Sequence, residues 1–196
     1  MPLLHALLVL VVAFLRATVP LELPSPGGPL VALDSGRIEG VQLAPGLRVF
    51  RGIPYAAPPV GERRWRAPEA VQPWEGVRAA TEFGAACPQS PLIAMLSGEA
   101  LPATSEDCLT LNVWTPAEDA SAKLPVLIWI HGGGFVGGWA HQRLYDGATF
   151  TARGLVFVSI QYRLGPLGYL ALPELAEEAE RGAPANHGLL DQVAAL

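Results

Sequence analysis

Apolar residues are distributed differently in three parts of this chain. At the start, Leu7 to Leu15 form one unbroken apolar run. Between Pro29 and Tyr55, short apolar segments alternate with the turn residues of "DSG" (Asp34 to Gly36) and "APG" (Ala44 to Gly46), which predicts small antiparallel hairpins. Beyond Leu109 the runs lengthen. "LTLNVWT" (Leu109 to Thr115) alternates like a half-buried strand, whereas "PVLIWI" (Pro125 to Ile130) and "LVFVSIQY" (Leu155 to Tyr162) are continuously apolar, as in strands covered on both faces. Between and after them, "LYDGATFTAR" predicts a short helix, "PELAEEAER" has helical composition, and "HGLLDQVAAL" reads as the first turns of another helix. Strand and helix in alternation predict an α/β architecture, with a parallel sheet joined by right-handed crossovers. The stretch from Ala56 to Leu101 is irregular and rich in Pro, yet Trp65 and Trp74 point to packed loops. No internal repeat is present.

Composition sharpens this reading. The chain has 196 residues, 51% of them hydrophobic, enough for one cored domain or a piece of a larger one. Its 21 Gly and 19 Pro cluster between apolar runs, so they punctuate a fold and do not mark disorder. With 18 acidic and 13 basic residues and no basic stripe, nucleic acid is not an expected partner. The run Leu7 to Leu15 is too short to span a bilayer and long enough for the core of a secretory signal. Only His5 stands where a positive charge usually precedes such a core, and Ala17 and Val19 offer a cleavage site just before Pro20. Residues 1–20 are therefore expected to be a signal peptide of a secreted protein, with an uncleaved anchor or a misplaced start as alternatives. The two cysteines, Cys87 and Cys108, fit a bridge in an oxidising compartment, where closing such a loop stabilises by about 3 kcal/mol in the chain-entropy model. The other reading is two unrelated buried thiols.

The candidate chemistry lies in "IHGGGFVGG" (Ile130 to Gly138), where an apolar strand runs into three glycines. Glycine weakens the elements it sits in, so its use here implies a close approach to backbone. Ligands of parallel sheets sit at the carboxyl ends of strands, which is where this loop falls. Acyl transfer passes through a tetrahedral oxyanion, and a backbone N–H aimed at it contributes about 2.7–4 kcal/mol. A loop presenting two adjacent N–H groups needs unusual dihedrals and no Cβ in the way, which Gly133 and Gly134 would supply. The H-G-G-G loop of lipases and esterases is such a device. A tight turn or a phosphate loop is the alternative, but there is no G-x-G-x-x-G opening a helix and no Lys after the glycines.

Six stretches in order resemble the type B carboxylesterases, the α/β-hydrolase family that includes the cholinesterases. They are "FRGIPYAAPPVGERRWRAPE" (Phe50 to Glu69), "PWEG" (Pro73 to Gly76), "SEDCLTLNVWTP" (Ser105 to Pro116), "IHGGGFVGG", "YRLGPLGYL" (Tyr162 to Leu170) and "NHGLLDQVAAL" (Asn186 to Leu196). The resemblance implies that residues 21–196 form the N-terminal part of an α/β-hydrolase fold. It implies oxyanion-hole roles for Gly133 and Gly134, with Gly132 shaping the loop, and a disulfide between Cys87 and Cys108. It also implies buried structural ion pairs of Arg64 with Glu106 and of Arg163 with Asp191. His131 is expected to be structural. The intact family uses a Ser nucleophile, an acyl-enzyme intermediate and no metal or cofactor, on small carboxylic esters.

Departures qualify the match. Gln161 stands where the family usually has Asn, and Ala185 where it has Gly. Cholinesterases hold the choline cation on a Trp before "SEDC"; the matching position here is about Gly98, and no Trp occurs between Pro88 and Glu106, which favours a general carboxylesterase. The sequence contains no G-x-S-x-G, the elbow that carries the nucleophile in this superfamily. The chain ends at Leu196, in the helix that precedes that elbow, so the nucleophile, acid and base are expected beyond it. The expectation is an N-terminal fragment of a secreted serine esterase, inactive as 196 residues alone. A non-catalytic cholinesterase-like adhesion ectodomain and an inactive truncated product are the alternatives.

Overall fold

The computed structural model describes residues 27–178 and 186–196. The expected signal peptide lies outside the described residues. Two hairpins open the fold. β1 (Leu30–Leu33) and β2 (Gly36–Glu39) pair antiparallel across the Asp34–Ser35 turn. β3 (Val41–Ala44) and β4 (Leu47–Pro54) do the same across Pro45 and Gly46. β5 (Val77–Ala79) then adds to β2 in parallel, giving a small sheet ordered β1-β2-β5. Trp74 locks this sheet, lying where a Cβ on Gly36 would stand and donating its indole N–H to the Arg37 carbonyl at 3.0 Å.

The larger sheet has the order β3-β4-β6-β8-β7, with β6 (Thr110–Thr115), β7 (Val126–Ile130) and β8 (Val156–Ile160). It is mixed and not uniformly parallel as expected: β6 runs antiparallel to both β4 and β8, and only β7 and β8 are parallel. The reason is connectivity. No α-helix separates β6 from β7, so the chain reverses direction there. The β7–β8 connection carries α2 (Ala148–Thr151) and can cross over. β6 alternates as expected, and its buried positions are Thr110, Asn112 and Trp114. Asn112 satisfies its amide with the Ser159 hydroxyl at 3.1 Å and the Gly52 N–H at 3.0 Å.

The two continuously apolar strands part company. β8 lies inside the sheet, with Phe157 and Ile160 buried. β7 lies at its edge, and Val126 is 58% exposed, with Leu127, Trp129 and Ile130 also open. The expectation of two covered faces therefore fails for β7 in this chain. Four further helices complete the described fold: α1 (Leu92–Ser97), α3 (Gly165–Tyr169), α4 (Pro173–Glu178) and α5 (His187–Ala194). α1 and β5 both arise inside the Pro-rich stretch read as loops. One core cluster joins Ala56, Cys87, Cys108, Leu109, Tyr162 and Leu164.

Candidate active site

β7 delivers His131 and the glycines to the end of the parallel strand pair of the larger sheet. His131 is buried, its ring stacked on Tyr162 at 4.5 Å, and the Tyr162 hydroxyl donates to the His131 carbonyl at 2.7 Å. Burial pulls its pKa down to about 4, so the ring is neutral at physiological pH. It is a wall of the loop's root.

From there the backbone turns through a run of left-handed residues: Gly133 at φ 118°, Gly134 at 62° and Phe135 at 64°. The Val136 N–H closes the turn on the Gly133 carbonyl at 3.2 Å. A Cβ on Gly133 would stand 1.9 Å from the Gly137 carbonyl oxygen, and one on Gly138 would stand 2.5 Å from that of Gly132. The loop is thus packed backbone to backbone. Gly132 has neither a left-handed φ nor a neighbour within Cβ reach, so the shaping role expected of it belongs to Gly138.

Contacts from outside hold the loop. The Gly165 N–H donates to the Phe135 carbonyl at 2.7 Å. The buried Gln161 accepts from the Ala140 N–H at 3.1 Å. Gln89 grips Gly138 twice, accepting from its N–H at 2.7 Å and donating to its carbonyl at 2.8 Å. Among the described residues, no acceptor is bound by the amide of Gly133 or of Gly134. Two adjacent N–H groups are therefore left without an acceptor among the described residues. Phe135 and Val136, more than half exposed, and α1 with Leu92, Met95 and Leu96 supply exposed apolar surface, while Ile93 packs at Gly137. α1 ends at Gly98, the position compared with the choline-binding Trp, in a left-handed cap at φ 71°.

The other expected residues come together in pairs. Cys87 and Cys108 are bonded, with Cα atoms 5.2 Å apart and both side chains buried. Arg163 and Asp191 form a forked pair at 2.7 and 2.8 Å, with side-chain exposures of 3% and 0%. Asp191 also accepts from the Arg163 N–H at 3.1 Å. Beside them His187 is buried with both ring nitrogens unpartnered among the described residues; burial, then the charge of Arg163, lowers its pKa. Arg64 and Glu106 also fork, at 2.6 Å twice, but their side chains are 39% and 28% exposed. The expectation of a buried pair is corrected there: the pair lies at the rim of a crevice that Pro59, Pro88, Arg163 and Leu167 also line. The guanidinium of Arg64 still pulls the Glu106 carboxyl below its usual range. Sequence reasoning missed Gln89 and saw Gln161 only as a departure; a lone Gln in a loop carries no pattern.

The carboxylesterase family model matches residues 27–196. The chain belongs to the carboxylesterase family. This carboxylesterase segment is 44% identical over 168 residues to the para-nitrobenzyl esterase of Bacillus subtilis, covering 85% of this chain and 33% of that protein. It is 44% identical over 163 residues to a fumonisin B1 esterase of Sphingopyxis macrogoltabida, covering 83% and 29%. Among solved structures, a PNB esterase superposes with a TM-score of 0.76 at 42% identity, over 85% of this chain and 33% of that one. A carboxylesterase of Geobacillus stearothermophilus does so with a TM-score of 0.73 at 44% identity, over 85% and 33%. The segment is the N-terminal third of an α/β-hydrolase fold, and spans about a third of the length of the curated relatives it matches.

Proposed function

We propose that this chain is the N-terminal third of a secreted serine carboxylesterase and supplies its oxyanion-binding loop. The observation that carries the reading is the pair of unclaimed amides on Gly133 and Gly134, at the carboxyl end of a parallel strand. In the reaction, a Ser hydroxyl attacks the carbonyl of a small carboxylic ester while a His takes its proton. The carbonyl oxygen becomes anionic and accepts from the two amides, each worth about 2.7–4 kcal/mol at the transition state. Collapse releases the alcohol, which takes the proton from His, and water then hydrolyses the acyl-enzyme by the same steps. The two fixed amides need no reorganisation at that moment, because the glycine loop is clamped by Gly165, Gln161 and Gln89.

The nucleophile, acid and base are assigned to the remaining two thirds of the family's length. Within residues 1–196 no Ser lies in a G-x-S-x-G elbow. Secretion is proposed from the apolar leader and from the pairing of the two cysteines. A fluorophosphonate probe reports the nucleophile: on the full-length protein it should label one Ser beyond Leu196. A labelled Ser within residues 1–196 would overturn the assignment.

A further inference from the structure

Gln89 holds both peptide groups flanking Gly138. Its Oε1 accepts from the Gly138 N–H at 2.7 Å, and its Nε2 donates to the Gly138 carbonyl at 2.8 Å. The same Nε2 lies 3.1 Å from the Cys87 carbonyl, so the grip starts two residues from the disulfide. The Gly138 N–H and the Gly137 carbonyl belong to one rigid peptide unit. That carbonyl is what the Gly133 Cα packs against, with room for no Cβ between them. A peptide between two glycines is otherwise free to flip, because both residues reach either side of φ space. Holding its N–H therefore sets the direction of its carbonyl, and with it the plane on which Gly133 rests.

We propose that Gln89 is a positioning residue for acyl transfer: anchored beside the Cys87–Cys108 bridge, it fixes the 137–138 peptide and thereby aims the Gly133 and Gly134 amides. This rests on the oxyanion reading of the loop. Gln89 touches no reacting atom, so its loss acts on the transition state through the loop and leaves substrate binding nearly unchanged.

The test compares Gln89→Met and Gln89→Glu with wild type in the full-length protein, using p-nitrophenyl butyrate and amide hydrogen exchange. Gln89→Met should lower kcat about tenfold or more while KM stays within about twofold. It should also speed exchange at the Val136 amide, which closes the glycine turn. Gln89→Glu separates positioning from mere packing. A protonated carboxyl both accepts and donates as the amide does, whereas the ionised form repels the Gly138 carbonyl. The kcat of Gln89→Glu relative to wild type should therefore rise as pH falls from about 8 to about 5. A higher KM with kcat unchanged overturns the proposal, as does a pH-independent ratio with Val136 exchange unaltered. If Gln89→Met does not fold, the Gln89→Glu ratio decides alone. If wild type turns over no ester, the acyl-transfer reading fails, and unaltered Val136 exchange would separately overturn the positioning role.

Discussion

Gly133 and Gly134 are neighbours with different reasons to be glycine. Gly134 takes a left-handed φ of 62° in open space, where an L-residue costs about 1–2 kcal/mol and collides with nothing. Gly133 has φ 118° and a carbonyl oxygen 1.9 Å from its missing Cβ, so any side chain there must push the loop open. His131 sits below them as a neutral ring. Its unfolded counterpart takes a proton below pH 6.5, while the native ring resists until about pH 4. The unfolded state thus binds more protons in that window, and stability falls as pH falls through it, by on the order of 3 kcal/mol. Urea unfolding between pH 7.5 and 4.5 should show a smaller loss in His131→Asn than in wild type. Equal losses would mean that His131 charges without cost. The unusual dihedrals of Gly133 and Gly134 were legible in the sequence because H-G-G-G after an apolar strand is a pattern. The part played by Gly138, Gln89 and Gln161 was not, because it arises from contacts between segments about 20 to 50 residues apart.

Elements meet through charges that the sequence alone would assign to solvent. Asp191 on α5 binds Arg163 after β8 and is fully enclosed. Asp191→Ala should destabilise by about 3–5 kcal/mol, since it leaves a buried guanidinium unpaired, while the double change Arg163→Met with Asp191→Leu should recover most of that loss. Chemical denaturation of the purified protein measures both, and a single variant as stable as wild type would contradict the assignment. The Arg64–Glu106 pair is too open to solvent to matter as much, and its contribution should weaken with salt. It also depends on pH: the depressed Glu106 carboxyl contributes stability above its ordinary value of 4.5, lost as pH falls below it. β6 was readable from its alternation, and β7 and β8 from their continuous apolar runs. β5 has three residues and pairs with β2 across about 40 positions, and α1 has only six residues after its N-cap Pro91, so neither produces a period.

The molecule as a whole is asymmetric about its larger sheet. β3 at one edge belongs to a hairpin, whereas β7 at the other carries the glycine loop and leaves Val126, Trp129 and Ile130 open. Continuous apolarity was read as burial on both faces; in β8 the face of Phe157 and Ser159 is buried, while Val156 and Val158 on the other face are half-buried. Among the described residues nothing covers these side chains of β7, and the chain spans about a third of its relatives' length. The contacts that hold the glycine loop lie wholly within the described residues of 27–196, while the proposed nucleophile is assigned beyond them. The measurement to make is turnover of p-nitrophenyl butyrate by three samples side by side: residues 1–196, the full-length protein, and its Gly133→Ala variant. The first should give none, the second clear hydrolysis, and the third a kcat about 10²–10³ lower. Turnover by residues 1–196 that Gly133→Asp abolishes, or full activity in Gly133→Ala, would contradict this reading.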